Sequence, residues 1–275
     1  MLTVRVRQPA VAGQFYPGQP AQLVAAVREL LAGAHAEPRS AVAAMAPHAG
    51  YVYSGRTAAA VFAGLEVPRR CIVLAPNHTG MGDAAQGGSV YAVGSFVTPA
   101  GDVPVDDTTA AALLAQCELL EDDPAAHAQE HAVEVELPFL LARQPQLMIV
   151  PIVLGWTDWP RTRRLGEALA EVVRASAEPV LLLASSDMNH YESAAVAAEK
   201  DHLALAEVER LDGERLLDVT RRHRVSMCGR VPAAAVLHAA RLLGSERGEV
   251  MHYSHSGQVT GDDRSVVSYA GVIVR

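Results

Sequence analysis

Three apolar runs of this chain each end in a polar cluster that carries a histidine: AVAAMAPHAG with His48, CIVLAPNHTG with His78, and PVLLLASSDMNHY with Asp187 and His190. Imidazoles and carboxylates bind transition metals and move protons near neutral pH. Three such endings point to a metal site or an acid–base site rather than to scattered surface histidines. His48 follows Pro47 and precedes Ala49 and Gly50, small neighbours that leave room beside a ring facing a ligand. The competing reading is a histidine that caps a helix starting near Ser54. His78, in APNHTG, repeats the same order of strand, proline, polar residue, histidine and small residues. Asp187 and His190 stand three residues apart, so a helical turn would put them on one face. His190 then reads as general acid or base, with Asp187 as its orienter or as a ligand. A cap for a helix starting near Glu192 is the structural alternative for Asp187.

The odd number and wide spacing of Cys71, Cys117 and Cys228 argue against a disulfide framework and for a reducing compartment. Cys228, in VSMCGRVP, precedes Gly229 and a predicted helix start, where the helix dipole lowers a thiol pKa and favours metal binding or nucleophilic attack. Cys71 opens an apolar strand and Cys117 shares a helix with Leu113 and Leu114, so both read as packing residues. The segment EHAVEVELPFL sets Glu130 and Glu134 four residues apart on one helical face, with His131 pointing elsewhere. That face is either an acidic stripe turned to a ligand or a solvated surface, and its spacing does not match HExxH. His35, His127, His202, His223, His238, His252 and His255 lack such settings and read as surface or core residues.

These side chains need a scaffold that brings distant segments together. The runs of four to six apolar residues, bounded by Pro, Gly or Asn, read as buried strands, and LMIVPIVLG (147–155) is a fourth. Apolar periodicity predicts helices over 20–33, 56–65, 106–120, 130–143, 160–176, 192–211, 213–222 and 230–243. The tail SVVSYAGVIVR is expected to pair antiparallel with EVMHYSHSG. Strands alternating with helices imply an α/β fold, a single three-layer αβα domain over 1–275 with a largely parallel or mixed central sheet. In such sheets ligands sit beyond the carboxyl ends of the strands, where the histidines appear.

The chain has 275 residues and a net charge of −8, with no basic block that could track a phosphate backbone, so nucleic acid is not an expected partner. Lys200 is the sole lysine, which reads as coding bias. No run approaches the roughly 18 apolar residues of a membrane span. The N-terminal MLTVRVRQPAVAGQFYP lacks a signal-type apolar core, so a cytoplasmic location is expected. The polar stretches at 80–88, 99–107 and 121–129 are short, and no repeat or long linker separates domains.

The segments AGQFYP, APHAGYVYSG, LAPNHTG, EHAVEVELPFL, ASSDMNHY and MCGRVP, in this order, resemble the Memo family, which includes proteins labelled AmmeMemoRadiSam system protein B. The resemblance spans nearly the whole chain, from Ala12 to SVVSYAG. It implies a fold like that of the class III extradiol (LigB-like) dioxygenases, which open catechol rings with non-haem Fe(II). Carried over, it implies His48, His78 and Cys228 as metal ligands, Asp187 and His190 as catalytic groups, and His131, Glu134, Tyr53 and Asn77 on the substrate side. A cysteine stands where the dioxygenases place a carboxylate ligand, and the softer thiolate also suits copper or zinc. The expected activity is a metal-dependent redox reaction, dioxygenase-like, on a small molecule in the metal cleft, with Fe(II) as cofactor and copper or zinc as alternatives. An AMMECR1-like or radical SAM protein is the partner implied by family association. The competing readings are a metal- or peptide-binding signalling module without turnover, and a zinc hydrolase.

Overall fold

The computed structural model describes residues 5–82 and 87–275. Part of the polar stretch at 80–88 and the first four residues of the N-terminal segment lie outside the described residues. In chain order the strands are β1 (Val6–Arg7), β2 (Ala43–Ala46), β3 (Arg70–Pro76), β4 (Gly88–Val90), β5 (Ser95–Thr98), β6 (Gly101–Pro104), β7 (Leu120–Asp122), β8 (Met148–Leu154), β9 (Val180–Ser185), β10 (His190–Glu192), β11 (Gly248–His255) and β12 (Val266–Val274). The helices are α1 (Pro20–Ala32), α2 (Tyr51–Ala63), α3 (Asp107–Gln116), α4 (Leu137–Arg143), α5 (Trp159–Ala175), α6 (Ala194–Glu209), α7 (Gly213–Arg222), α8 (Arg230–Leu242) and the short α9 (Gly257–Thr260).

Among the described residues the main sheet runs in the order β10-β12-β2-β9-β3-β8-β4-β7, with β11 paired to β12. Its centre, β2, β9, β3 and β8, is parallel, and β12 joins β2 antiparallel. Successive side chains of a strand point to opposite faces, and a parallel sheet is covered on both. Met45, Ile72, Leu74, Leu182 and Ala184 accordingly face a core completed by Leu165 and Leu169 of α5, Leu205 of α6 and Val236 of α8. Ala44, Val73, Ala75, Leu181 and Leu183 face the opposite core, with Leu23 of α1, Phe62 of α2 and Phe139 of α4. The result is helix, sheet, helix, the three-layer αβα arrangement with a mixed sheet that the alternation of elements predicts. The β11–β12 pairing is antiparallel, as expected for the tail. A second, three-stranded sheet, β1-β5-β6, packs beside the main one and joins the N-terminal strand in parallel to β5.

Three helix boundaries differ from periodicity in ways that matter for the site. α2 starts at Tyr51, capped by Gly50, so the β2–α2 connection is only the four residues Pro47 to Gly50. α3 ends where Cys117 turns extended. The expected helix over 130–143 begins only at Leu137, preceded by a 3-10 turn at Glu134–Glu136. Glu130 and Glu134 therefore do not share a helical face. Side-chain bonds hold the 130–134 backbone in a loop: the Glu130 carboxylate accepts from Ala132 N at 2.9 Å. No helix among the described residues is long and apolar enough to cross a membrane.

Candidate metal centre

The strand order dictates which endings meet. β9 lies between β2 and β3, so the carboxyl ends of all three fall side by side, and His48, Asp187 and His78 emerge from one edge of the sheet. The buried His48 is gripped on three sides. Its backbone N–H donates to Asp187 Oδ1 at 2.9 Å, its Nδ1 lies 2.8 Å from Ser185 Oγ, and its Nε2 lies 3.3 Å from Cys228 Sγ. Ala49 N–H adds a 3.3 Å bond to the same Asp187 oxygen.

His131, placed away from the ligand side by the helical reading, enters the cluster because its segment is a loop. The ring centroids stand 5.1 Å (His48–His78), 5.3 Å (His48–His131) and 4.8 Å (His78–His131) apart. One nitrogen from each ring lies within 4.8 Å of the other two, so the trio can hold a metal ion. Donors on one ion at about 2.0–2.1 Å sit roughly 3–4 Å from each other. The trio therefore fits an ion after a small closing movement of the half-exposed His78 and His131 rings.

Glu130 sets both of those rings. Its carboxylate accepts from His78 N–H at 2.6 Å, meets His78 Nδ1 at 2.9 Å and lies 3.3 Å from His131 Nδ1. With Nδ1–H turned to the carboxylate, each Nε2 lone pair is left for a ligand, the arrangement that orients histidines at metal sites. Burial pushes the Glu130 carboxyl up, but the bond and charge of His78, the Ala132 N–H and the His131 charge outweigh it, and the group stays below the usual carboxylate range. Burial, with the neighbouring imidazoles adding, holds His48 well below the usual histidine value, and burial also lowers His131 and His190. Neutral imidazoles are the form that donates to a metal.

Several expectations need correcting. Asp187 and His190 do not share a helical turn: His190 opens β10, and the Asp187 carboxylate bonds the His48 turn. His190 is positioned by Ser226 Oγ, which accepts from its backbone N–H at 2.8 Å. Nor does Asp187 cap α6, since Ser193 does. Burial raises the Asp187 carboxyl to about 7 against the pull of the His48 and Ala49 N–H groups. Cys228 does not have the depressed pKa expected near a helix start. Burial pushes the thiol well up, and the Asp187 charge adds to this. Gly229 is needed beside it, because a Cβ there would stand 2.4 Å from Ser185 O and 2.5 Å from Ser186 Cβ. The Cys228 turn thus reaches the end of β9 only because residue 229 has no side chain.

The residues expected on the substrate side divide. Tyr53 is 40 % exposed on the first turn of α2. Asn77 shapes the turn after β3: its Oδ1 accepts from Gly80 N at 2.9 Å and from Thr79 Oγ1 at 3.0 Å, and its Nδ2 donates to Met81 O at 3.0 Å. Glu134 is not available to a substrate. It is fully buried, accepts from Arg7 Nη1 and the Tyr16 hydroxyl in short bonds, and takes Ala10 N–H at 2.8 Å and Val11 N–H at 3.1 Å. Arg7 also donates to His127 O at 3.0 Å and Glu130 O at 2.6 Å, tying β1 to the loop that carries His131. Residue type and spacing did not mark Arg7, Ser185 or Phe15, whose ring stands 4.9 Å from His131. Phe15 and Ser185 lie inside the segments AGQFYP and ASSDMNHY, but their contacts are made across the fold, as are those of Arg7.

His127, beside this network, gives a pH-dependent prediction. Burial lowers its pKa to about 4, with the Arg7 charge adding. An unfolded histidine titrates near 6.5, so between about 6.5 and 4 the unfolded chain binds a proton that the folded chain does not, and stability from this group is lost as pH falls. His127→Gln is expected to remove that loss, gaining up to about 3 kcal/mol on the wild type between pH 7 and pH 4. Urea midpoints of both proteins across this range check it, and parallel pH profiles would refute it.

Comparison with known proteins identifies the family of the chain. A family model described as Memo-like protein matches residues 7–273. The chain is 39 % identical over 275 residues to a MEMO1 family protein of Aquifex aeolicus, covering 98 % of this chain and 99 % of the relative. It is 37 % identical over 282 residues to a MEMO1 family protein of Methanopyrus kandleri, covering 98 % and 99 %, and 38 % over 270 residues to one of Methanosarcina barkeri, covering 98 % and 100 %. The crystal structure of an uncharacterized protein from Escherichia coli K12 shares the fold, with a TM-score of 0.52 at 15 % identity over 83 % of this chain and 98 % of that one. Matched along nearly its whole length, the chain belongs to the Memo family.

Proposed function

We propose that this protein is a metal-dependent redox protein acting on a small organic molecule, with non-haem iron as its ion and copper as the redox alternative, zinc belonging to the competing hydrolase reading. The observation that carries the reading is the convergence of three imidazoles at the carboxyl edge of a parallel sheet, two of them oriented by one carboxylate. In this reading His48, His78 and Cys228 are ligands and His131 is a further donor. The 3.3 Å between His48 Nε2 and Cys228 Sγ is a separation that two donors on one ion adopt. Bound there, the ion would supply a Lewis-acidic, redox-active centre. As a ligand Cys228 would have to give up the proton that the buried thiol otherwise keeps. His190, neutral near pH 7 and held at the rim by Ser226, accepts a proton from a substrate hydroxyl. Tyr53 and the exposed Tyr191 offer aromatic faces to a flat substrate.

Elemental analysis of protein purified without oxygen and without affinity-tag metal tests the proposal, followed by oxygen uptake against a panel of catechols and small metabolites. One redox metal per chain and substrate-dependent oxygen consumption are expected. Absence of any transition metal refutes the reading, and zinc with hydrolytic turnover replaces it by a hydrolase.

A further inference from the structure

Ser185 closes β9 directly beneath His48 and is completely buried. Its hydroxyl has three neighbours at hydrogen-bond distance: Ala132 O at 2.7 Å, Glu136 Oε1 at 2.8 Å and His48 Nδ1 at 2.8 Å. A hydroxyl carries one proton and two lone pairs. Ala132 O is a carbonyl and can only accept, so the Ser185 proton belongs to that contact. The other two neighbours must then each bring a proton of their own. For His48 this means the Nδ1–H tautomer. For Glu136 it means a carboxylic acid whose O–H donates to Ser185 Oγ.

Other allocations fail on chemistry. Giving the Ser185 proton to a Glu136 carboxylate leaves two oxygens, Ser185 Oγ and Ala132 O, 2.7 Å apart with no proton between them. It also places a full negative charge on a completely buried side chain whose second oxygen, Oε2, has no hydrogen-bond partner. The neighbouring Tyr51 hydroxyl cannot help, because it donates to Val135 O at 2.8 Å. We infer that Glu136 is a neutral carboxylic acid in the native protein and that, through Ser185, it holds His48 as the Nδ1–H tautomer with the Nε2 lone pair facing Cys228. Burial pushes the Glu136 carboxyl well above its usual range, and the Asp187 charge works in the same direction.

Glu136 is thus a positioning residue: it touches neither an ion nor a substrate, and acts on the centre through the ring it orients. Only this consequence rests on the proposed metal reading. The proton arrangement stands in the metal-free protein, and the test is made there. In ¹⁵N NMR of metal-free wild-type protein near pH 7.5, the His48 ring is expected to show a protonated Nδ1 and an unprotonated Nε2. In the infrared difference between wild type and Glu136→Gln at the same pH, the wild type is expected to contribute the carbonyl band of a protonated carboxylic acid. An Nε2–H tautomer, or a difference spectrum containing only carboxylate bands, overturns the inference.

Glu136→Gln can still donate an amide N–H to Ser185, so its metal affinity is expected to stay within about threefold of wild type, whereas Ser185→Ala should lose roughly 10–100-fold. An equal loss in both variants also overturns the inference. A protein with the expected protons that binds no metal sinks the metal reading and leaves this one standing. A protein that binds metal over an ionised Glu136 does the reverse.

Discussion

Glu134→Ala is expected to lower the unfolding free energy by about 3–5 kcal/mol, the cost of leaving a buried charge without its partner. Arg7 is 4 % exposed and Glu134 fully buried, so water cannot replace the carboxylate. The loss extends beyond one ion pair: the Ala10 and Val11 N–H groups and the Tyr16 hydroxyl lose their acceptor as well. Because Arg7 is in β1 and Glu134 adjoins the His131 loop, the change detaches the N-terminal segment from the wall of the centre. A fall in melting temperature on the order of 10 °C follows for a chain of this size. Scanning calorimetry of wild type and variant measures it. A shift of only a degree or two would mean that Arg7 finds water or another partner, and the network would then not be structural.

His48→Ala is expected to abolish stoichiometric metal binding, a larger effect than the roughly 10–100-fold that follows loss of an outer hydrogen-bonding partner. His48 is the ring that meets both other imidazoles and the thiol, and it is the one held rigid by Asp187 and Ser185. Cys228→Ala is expected to lose the ion too, by the proximity of its sulfur to His48 Nε2. Metal content of the three purified proteins decides among the arrangements. Full occupancy in Cys228→Ala would make the three imidazoles the whole donor set, and full occupancy in His48→Ala would place the ion elsewhere.

The contrast between these residues shows what the sequence makes legible. The layers and the strand endings are visible because burial writes itself into apolar runs and their Pro, Gly and Asn boundaries. His48, His78 and Asp187 share one edge for that reason. The 130–136 segment misleads, because its apolar spacing fits a helix while the bonds that hold it as a loop come from Glu130, Arg7 and Tyr16 across the fold. A helical reading of this segment points His131 away from the imidazole cluster, although the resemblance sets it on the substrate side, and it hides the burial that takes Glu134 out of reach of a substrate. Cys228 stands near a helix start, where a dipole lowers a pKa. The opposite shift occurs because burial outweighs a dipole, and burial depends on Gly229 letting the turn close on β9. Ser185 and Glu136 lie inside the segments ASSDMNHY and EHAVEVELPFL, yet a serine at a strand end and a glutamate before a helix show no role of their own until their protons are counted.

The placement of β9 between β2 and β3 has a consequence for how the chain comes to possess its centre. His48 and His78 leave strands that are near in sequence yet never neighbours in the sheet, for the strand that fills the gap is supplied after β8 and α5. Until it inserts, Asp187 is not there to hold the His48 turn and Ser185 is not there to receive its ring. Cys228 follows later still. In the proposed metal reading, a nascent chain displaying both early histidines would display no complete site, and capacity for the ion would come with closure of the sheet.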